Sequence, residues 1–369
     1  MDLQHLAASV LVVGFDGPRP TKEVRALIGR GIAGCILFKR NVEEPQQVAQ
    51  LCEELKLETG RPVLLCVDQE GGRVARLRGD SFTEVPAMRA IGERSEEALS
   101  FDVGRLLARE VRAAGFDVDF APVLDVDTNP ANPVIGDRSL SREAQSVAKL
   151  GVALAKGIES EGVASCGKHF PGHGDTSQDS HETLPRLPHA MERLRAVELV
   201  PFQAYARADL ACVMTAHVVF EALEKEIPAT FSRKALTDLL RGELGFRGVL
   251  VSDDLEMKAI ADRYGIEEAA VRSVAAGVDL LLVCHQGARQ AQAIDALAKE
   301  AEKSPAFKKR LEDASRRVND LRARFAAPPR PASESLAVLQ SPEHRTLALR
   351  VRNAAREAAA AHDPTARRI

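Results

Sequence analysis

The chain holds 369 residues, of which 45% are apolar, 28% charged and 4% aromatic, with a formal net charge of -3 and no tryptophan. That length and apolar content suffice for a large core without disulfide staples. The mildly acidic balance argues against nucleic acid or an anionic membrane as the main partner, no apolar run approaches the roughly 18 residues of a bilayer span, and the scarcity of aromatic rings disfavours stacking platforms for single strands.

From the N-terminus, Met1-Asp-Leu-Gln-His-Leu-Ala lacks a basic segment and a long apolar stretch, so no export signal is read and a cytoplasmic location is expected. Short, nearly continuous apolar runs then recur: 10–15, 34–38, 63–67, 118–123, 164–167, 211–214, 248–251 and 278–283. Unbroken runs suit parallel strands buried on both faces. Between them lie helical patterns at 21–32, 43–57, 142–159, 191–207, 232–240, 266–276 and 287–301, and Val103, Leu106, Leu107 and Val111 share one helix face. Gly115, Gly162 and Gly277 each stand just before a strand, as helix-closing glycines do. The six cysteines, Cys35, Cys52, Cys66, Cys166, Cys212 and Cys284, form no CxxC pair, so neither a zinc knuckle nor a disulfide framework is read. Eight strands alternating with helices predict a (β/α)8 TIM-type barrel over residues 1–325, with an open doubly wound sheet as the competing arrangement. Residues 326–369 open on Ala-Pro-Pro-Arg-Pro and read as a C-terminal extension whose helix spans about 342–361.

Polar residues crowd the C-terminal ends of the strands, where barrel enzymes carry their chemistry. Asp253 and Asp254 end the seventh run. One of them suits a helix N-cap, while a carboxylate at the mouth suits attack on a sugar carbon. The stretch 168–181 holds His169, His173, His181, Asp175 and Asp179. It reads as a metal site lacking any HExxH spacing, as a solvated loop, or as an Asp179–His181 pair on one face of an extended segment, which makes a general acid/base. Lys168, Arg76 and Arg138 are surface charges or donors to sugar hydroxyls, with Asp68 as their acceptor; His217 is a satisfied core histidine or a pocket residue.

These residues sit in VDQEGGRVARLR (67–78), FAPVLDVDTNP (120–130), IGDRS (135–139), KHFPGHGDTSQDSH (168–181), MTAHVVF (214–220) and VSDDLEM (251–257). The set resembles family-three glycoside hydrolases, specifically the bacterial single-domain β-N-acetylglucosaminidases of cell-wall recycling. The resemblance implies a barrel that removes terminal β-linked N-acetylglucosamine with retention of configuration. Asp253 matches the nucleophile, His181 the acid/base and Asp179 its partner. Asp68, Arg76, Arg138, Lys168 and His169 match sugar-binding positions, and Met214 and His217 of the fifth motif are placed with them. It implies no metal or organic cofactor, a muropeptide fragment or other N-acetylglucosamine-ended saccharide as substrate, no nucleic-acid or membrane partner, and a monomer. Ser341-Pro-Glu-His-Arg345 resembles the opening of the linker in two-domain relatives. A β-glucosidase or a phosphorylase of the same family, and a metal-dependent barrel hydrolase, are the alternatives.

Overall fold

This computed structural model describes residues 2–58, 63–179, 183–328 and 336–362. Eight strands close into a parallel barrel: β1 (Leu11–Val13), β2 (Gly34–Ile36), β3 (Leu64–Val67), β4 (Val118–Asp119), β5 (Ala164–Phe170), β6 (Cys212–Thr215), β7 (Val249–Asp254) and β8 (Leu280–Val283). Closure is the pairing of Leu11, Val12 and Val13 with Leu281, Leu282 and Val283, which removes the open-sheet alternative.

Each strand splits its side chains between two cores. Val12, Leu64, Cys66, Cys166, Cys212, Leu280 and Leu282 fill the lumen, while Leu11, Val13, Leu65, Val67, Leu281 and Val283 face the helices. Apolar residues at consecutive positions are what such two-sided burial demands. The thiols suit a narrow lumen because they are small, and burial pushes the Cys35 thiol, on the outer side, up to about 12. β4 pairs over only two residues because Pro122 has no N–H to donate. Its carbonyls still serve: Ala121 O accepts from Cys166 N (2.7 Å) and Pro122 O from Lys168 N (3.1 Å), which fixes the end of β5.

Three elements differ from expectation. The helix expected over 191–207 is two, Met191–Ala196 and Leu199–Arg207. The ring of Pro201 would collide with the carbonyl of Val197 in a continuous helix. Lys234–Glu243 winds as a π-helix. A helix at Pro305–Phe325, not anticipated, closes the N-terminal end of the barrel: its Val318, Leu321 and Phe325 join the lumen cluster. It is capped by Ser304, whose side chain accepts from Phe307 N, with Pro305 in the first turn. The C-terminal helix, Pro342–His362, lies against Arg89–Gly92 and Glu97–Ala113. Among the described residues no helix is long and apolar enough to cross a membrane.

Candidate active site

A cleft at the C-terminal mouth of the barrel encloses about 1090 Å3 up to its solvent-open rim. Asp68, Arg76, Arg138, Lys168, His169, Met214 and Asp253 all line it, joined by Glu70, His173 and Phe38. Residues from β2, β3, β4, β5, β6 and β7 thus meet in one place although more than two hundred positions separate Phe38 from Asp253.

The β3 side is built by a hairpin, Gln69–Gly71 against Val74–Ala75. Gly71 and Gly72 turn it with φ of 91° and 54°, and a Cβ on Gly72 would stand 2.7 Å from Ala87 Cα. A residue with a side chain is excluded there on both counts. Gln69 Oε1 then accepts from Arg76 N (2.9 Å) and Leu77 N (3.0 Å), setting Arg76 beside Asp68.

Two carboxylates and three cations interlock across the cleft floor. Asp68 accepts from Lys168 Nζ (2.9 Å) and from Arg76 (3.1 Å). Glu70 accepts twice from Arg138 (2.8 Å each) and lies 2.6 Å from Lys168 Nζ. The sequence alone leaves these cations as surface charges or sugar donors and does not name Glu70, which holds Arg138. Burial opposes the charge on Glu70, but Arg138 and Lys168 outweigh it and hold its carboxyl far below the ordinary value. Burial works against Lys168 too, yet Asp68 and Glu70 keep its ammonium charged well past neutrality. Asp68 is likewise held low against its burial by Lys168 and Arg76. The Arg76 Nε is buried without a partner among the described residues.

Asp125, just past β4, organises the start of the histidine-bearing loop. It accepts from His169 N (3.1 Å), His169 Nδ1 (2.7 Å) and His173 N (2.7 Å). An ionised carboxylate can only accept, so Nδ1 of His169 carries a proton toward Asp125. Burial drives the His173 imidazole down to about 4, with the charge of His169 adding to it. Asn132 donates to His173 O (2.8 Å) and Gly174 O (3.1 Å), lashing this loop to the one after β4. Asp175 pairs with His189 (2.5 Å) and accepts from Thr128 (2.9 Å).

The two aspartates ending β7 divide their tasks. Asp254 Oδ1 accepts from Glu256 N (3.1 Å) and Cys284 N (3.2 Å), and Oδ2 lies 3.1 Å from His285 Nε2. It fastens β7 to β8. Asp253 lines the cleft, and its Oδ1 accepts from Asp254 N (2.8 Å). His217 is not on the cleft wall. It is 1% exposed, with Nδ1 2.8 Å from Thr230 Oγ1 and Nε2 donating to the Asp254 carbonyl at 3.0 Å. The expectation that it contacts a ligand gives way to its alternative, a satisfied core histidine, here one that braces the end of β7. Burial keeps it neutral, lowering its pKa against the pull of Asp253.

His181 lies outside the described residues; Asp179 is described, half-buried, and its carbonyl accepts from Thr183 N (2.9 Å). Among the described residues, no three His, Cys, Asp or Glu side chains converge as metal ligands do. Glu70 and Asp125 went unassigned from sequence. Their signal was period two: Asp68 and Glu70, then Asp125 and Asp127, alternate beyond strand ends.

The chain matches the family model described as glycosyl hydrolase family 3 N terminal domain over residues 3–321. A beta-hexosaminidase of Neisseria meningitidis serogroup C (strain 053442) is 42% identical over 272 residues, 72% of this chain and 74% of that protein. Among solved structures, a glycoside hydrolase family 3 beta-N-acetylglucosaminidase from Paenibacillus sp. str. FPU-7 superposes with a TM-score of 0.89 at 39% identity, covering 96% of this chain and 69% of the other. NagZ from Neisseria gonorrhoeae, in complex with N-trifluoroacetyl-D-glucosamine, gives a TM-score of 0.77 at 34% identity over 94% of this chain and 98% of its own.

Proposed function

The chain belongs to glycosyl hydrolase family 3 and is a glycoside hydrolase of the hexosaminidase type, and on that premise we propose that it is a retaining β-N-acetylglucosaminidase acting on muropeptide fragments. The observation that carries this reading is the placement of Asp253 on the same cleft as the Asp68–Lys168–Glu70–Arg138 network. A sugar ring bound in that cleft meets fixed, charge-assisted donors and acceptors on one side and a carboxylate at the end of β7 on the other.

In the first step the Asp253 carboxylate attacks the anomeric carbon, the bond to the aglycone oxygen breaks, and protonated His181 gives that oxygen its proton. In the second, neutral His181 takes a proton from water, the water oxygen attacks the anomeric carbon, and the bond to Asp253 breaks, returning both groups to their starting states. Asp179, two residues before His181, would favour the imidazolium. A histidine acid also avoids setting a second carboxyl beside Asp253, where two carboxylates would raise each other's pKa. Sugar-binding roles fall to Asp68, Arg76, Arg138, Lys168, His169 and Met214.

The test is covalent trapping with a 2-acetamido-2-deoxy-5-fluoro glycoside followed by peptide mass spectrometry. The adduct is expected on Asp253. An adduct on another residue, or turnover of the Asp253→Ala variant within about a hundredfold of wild type, overturns the assignment. Rates on the nitrophenyl glucosaminide and glucoside, with and without phosphate, separate hydrolysis of the aminosugar from the alternatives.

A further inference from the structure

The cleft has a second side, formed by the turn after β7 and the start of the β8 loop, that the catalytic steps do not use. Lys258 lies there. It lines the cleft and is exposed; its carbonyl accepts from Asp262 N, but among the described residues its ammonium has no hydrogen-bond or ion-pair partner. The nearby carboxylates are already engaged. Asp254 holds Cys284 N and His285, and Glu256 accepts from His285 N (2.6 Å) and Gln286 N (3.2 Å). Beside them the His285 ring stacks on Phe38, with centroids 5.8 Å apart and planes 23° from parallel. The Arg40 guanidinium lies 4.4 Å from the centre of the same Phe38 ring.

The backbone under Lys258 is fixed. Asp254 O accepts from Met257 N (3.0 Å) and from His217 Nε2 (3.0 Å), and Asp254 Oδ1 holds Glu256 N. Lys258 therefore starts its side chain from a set position five residues beyond Asp253, and binding an anion orders only that side chain.

We propose that Lys258 is a specificity residue for the aglycone, taking a carboxylate carried by the group on the reducing side of the scissile bond, with the Phe38–His285 stack as the adjoining wall. This rests on the glucosaminidase reading, and it names the residue that would meet an acidic aglycone. Asp254 and Glu256 are held in place by main-chain N–H groups and pair with no atom of Lys258, so its ammonium stays available to a substrate carboxylate. Complementarity of this kind sets specificity more than raw affinity.

The probes are 4-carboxyphenyl N-acetyl-β-glucosaminide and its 4-carbamoylphenyl counterpart, which share shape and differ in charge. Each variant is compared with wild type on the same compound, so leaving-group differences cancel. Lys258→Met is expected to lower the ratio of kcat/KM for the acid to that for the amide by about three- to tenfold, mainly through KM, as for a partly exposed charged contact. Lys258→Arg should keep the ratio and Lys258→Glu should lower it further. In wild type the KM for the acid should rise with salt, and that dependence should be lost in Lys258→Met. An unchanged ratio in Lys258→Met overturns the anion-recognising role while leaving the reaction intact. A wild type that hydrolyses neither compound overturns the glucosaminidase reading and this inference with it.

Discussion

Burial pushes the His173 imidazole down to about 4 from an ordinary 6.5, so the folded chain keeps it neutral where the unfolded chain would protonate it. The folded state then binds fewer protons between those two values. His173 thus contributes stability that is complete above pH 6.5 and is lost progressively as pH falls toward 4, amounting to about 3 kcal/mol by linkage. His217, also buried and lowered, acts in the same direction. Urea unfolding of wild type and His173→Asn from pH 7 to pH 4.5 should show the wild type losing stability more steeply; parallel curves would mean that the folded state protonates His173 as readily as the unfolded one. Residue type and strand-end position were enough to single out Asp68, Arg76, Lys168, Arg138 and Asp253 from sequence. Their pairing was not legible, because a motif records which charges are present and not which are neighbours. Glu70, 1% exposed between Lys168 and Arg138, looks in sequence like one more acid in a loop.

At the level of elements, the loop after β5 owes its course to a close approach. An added Cβ on Gly174 would fall 1.8 Å from the carbonyl oxygen of Val126. A backbone atom cannot yield as the end of a side chain can, so Gly174→Ala must push the loop away from β4, breaking the Asn132 contacts to His173 O and Gly174 O. A displacement of about 1 Å in a positioning element costs on the order of a hundredfold in rate. Gly174→Ala is therefore expected to lose kcat/KM on that scale with its far-ultraviolet circular dichroism unchanged; wild-type kinetics would show that the loop's path does not govern the site. The glycine is visible in the sequence, but its reason is not, since Val126 meets it only when β4 and β5 are side by side. The same holds for the helix Pro305–Phe325. Its Ser304-Pro305 start and its apolar face at Phe307, Leu311, Ala314 and Val318 were readable, yet its purpose depends on a barrel end needing closure.

For the whole molecule, the alternation of eight runs with helices predicts a barrel, but closure is a contact between residues 11–13 and 281–283 that no local period encodes. The C-terminal extension adds a second long-range tie. Glu110, 4% exposed, accepts from Thr83 N (2.8 Å), Thr83 Oγ1 (2.5 Å), Gln340 N (3.1 Å) and His344 Nδ1 (2.9 Å). Thr83 follows the hairpin that presents Asp68, Glu70 and Arg76, so one buried carboxylate binds that segment, a barrel helix and the tail together. His344 is 2% exposed and Val351 is fully buried, so the start of the C-terminal helix is part of the packed structure. Replacing His344 with leucine keeps the apolar volume but takes one donor from Glu110, and losing a partner to a buried charge costs about 1–3 kcal/mol. His344→Leu should therefore lower the Tm by a few degrees in a single transition, since the hairpin and barrel helix it joins unfold with the rest. A separate low-temperature transition, or an unchanged Tm, would show that the extension rests on the barrel without sharing its cooperative unit.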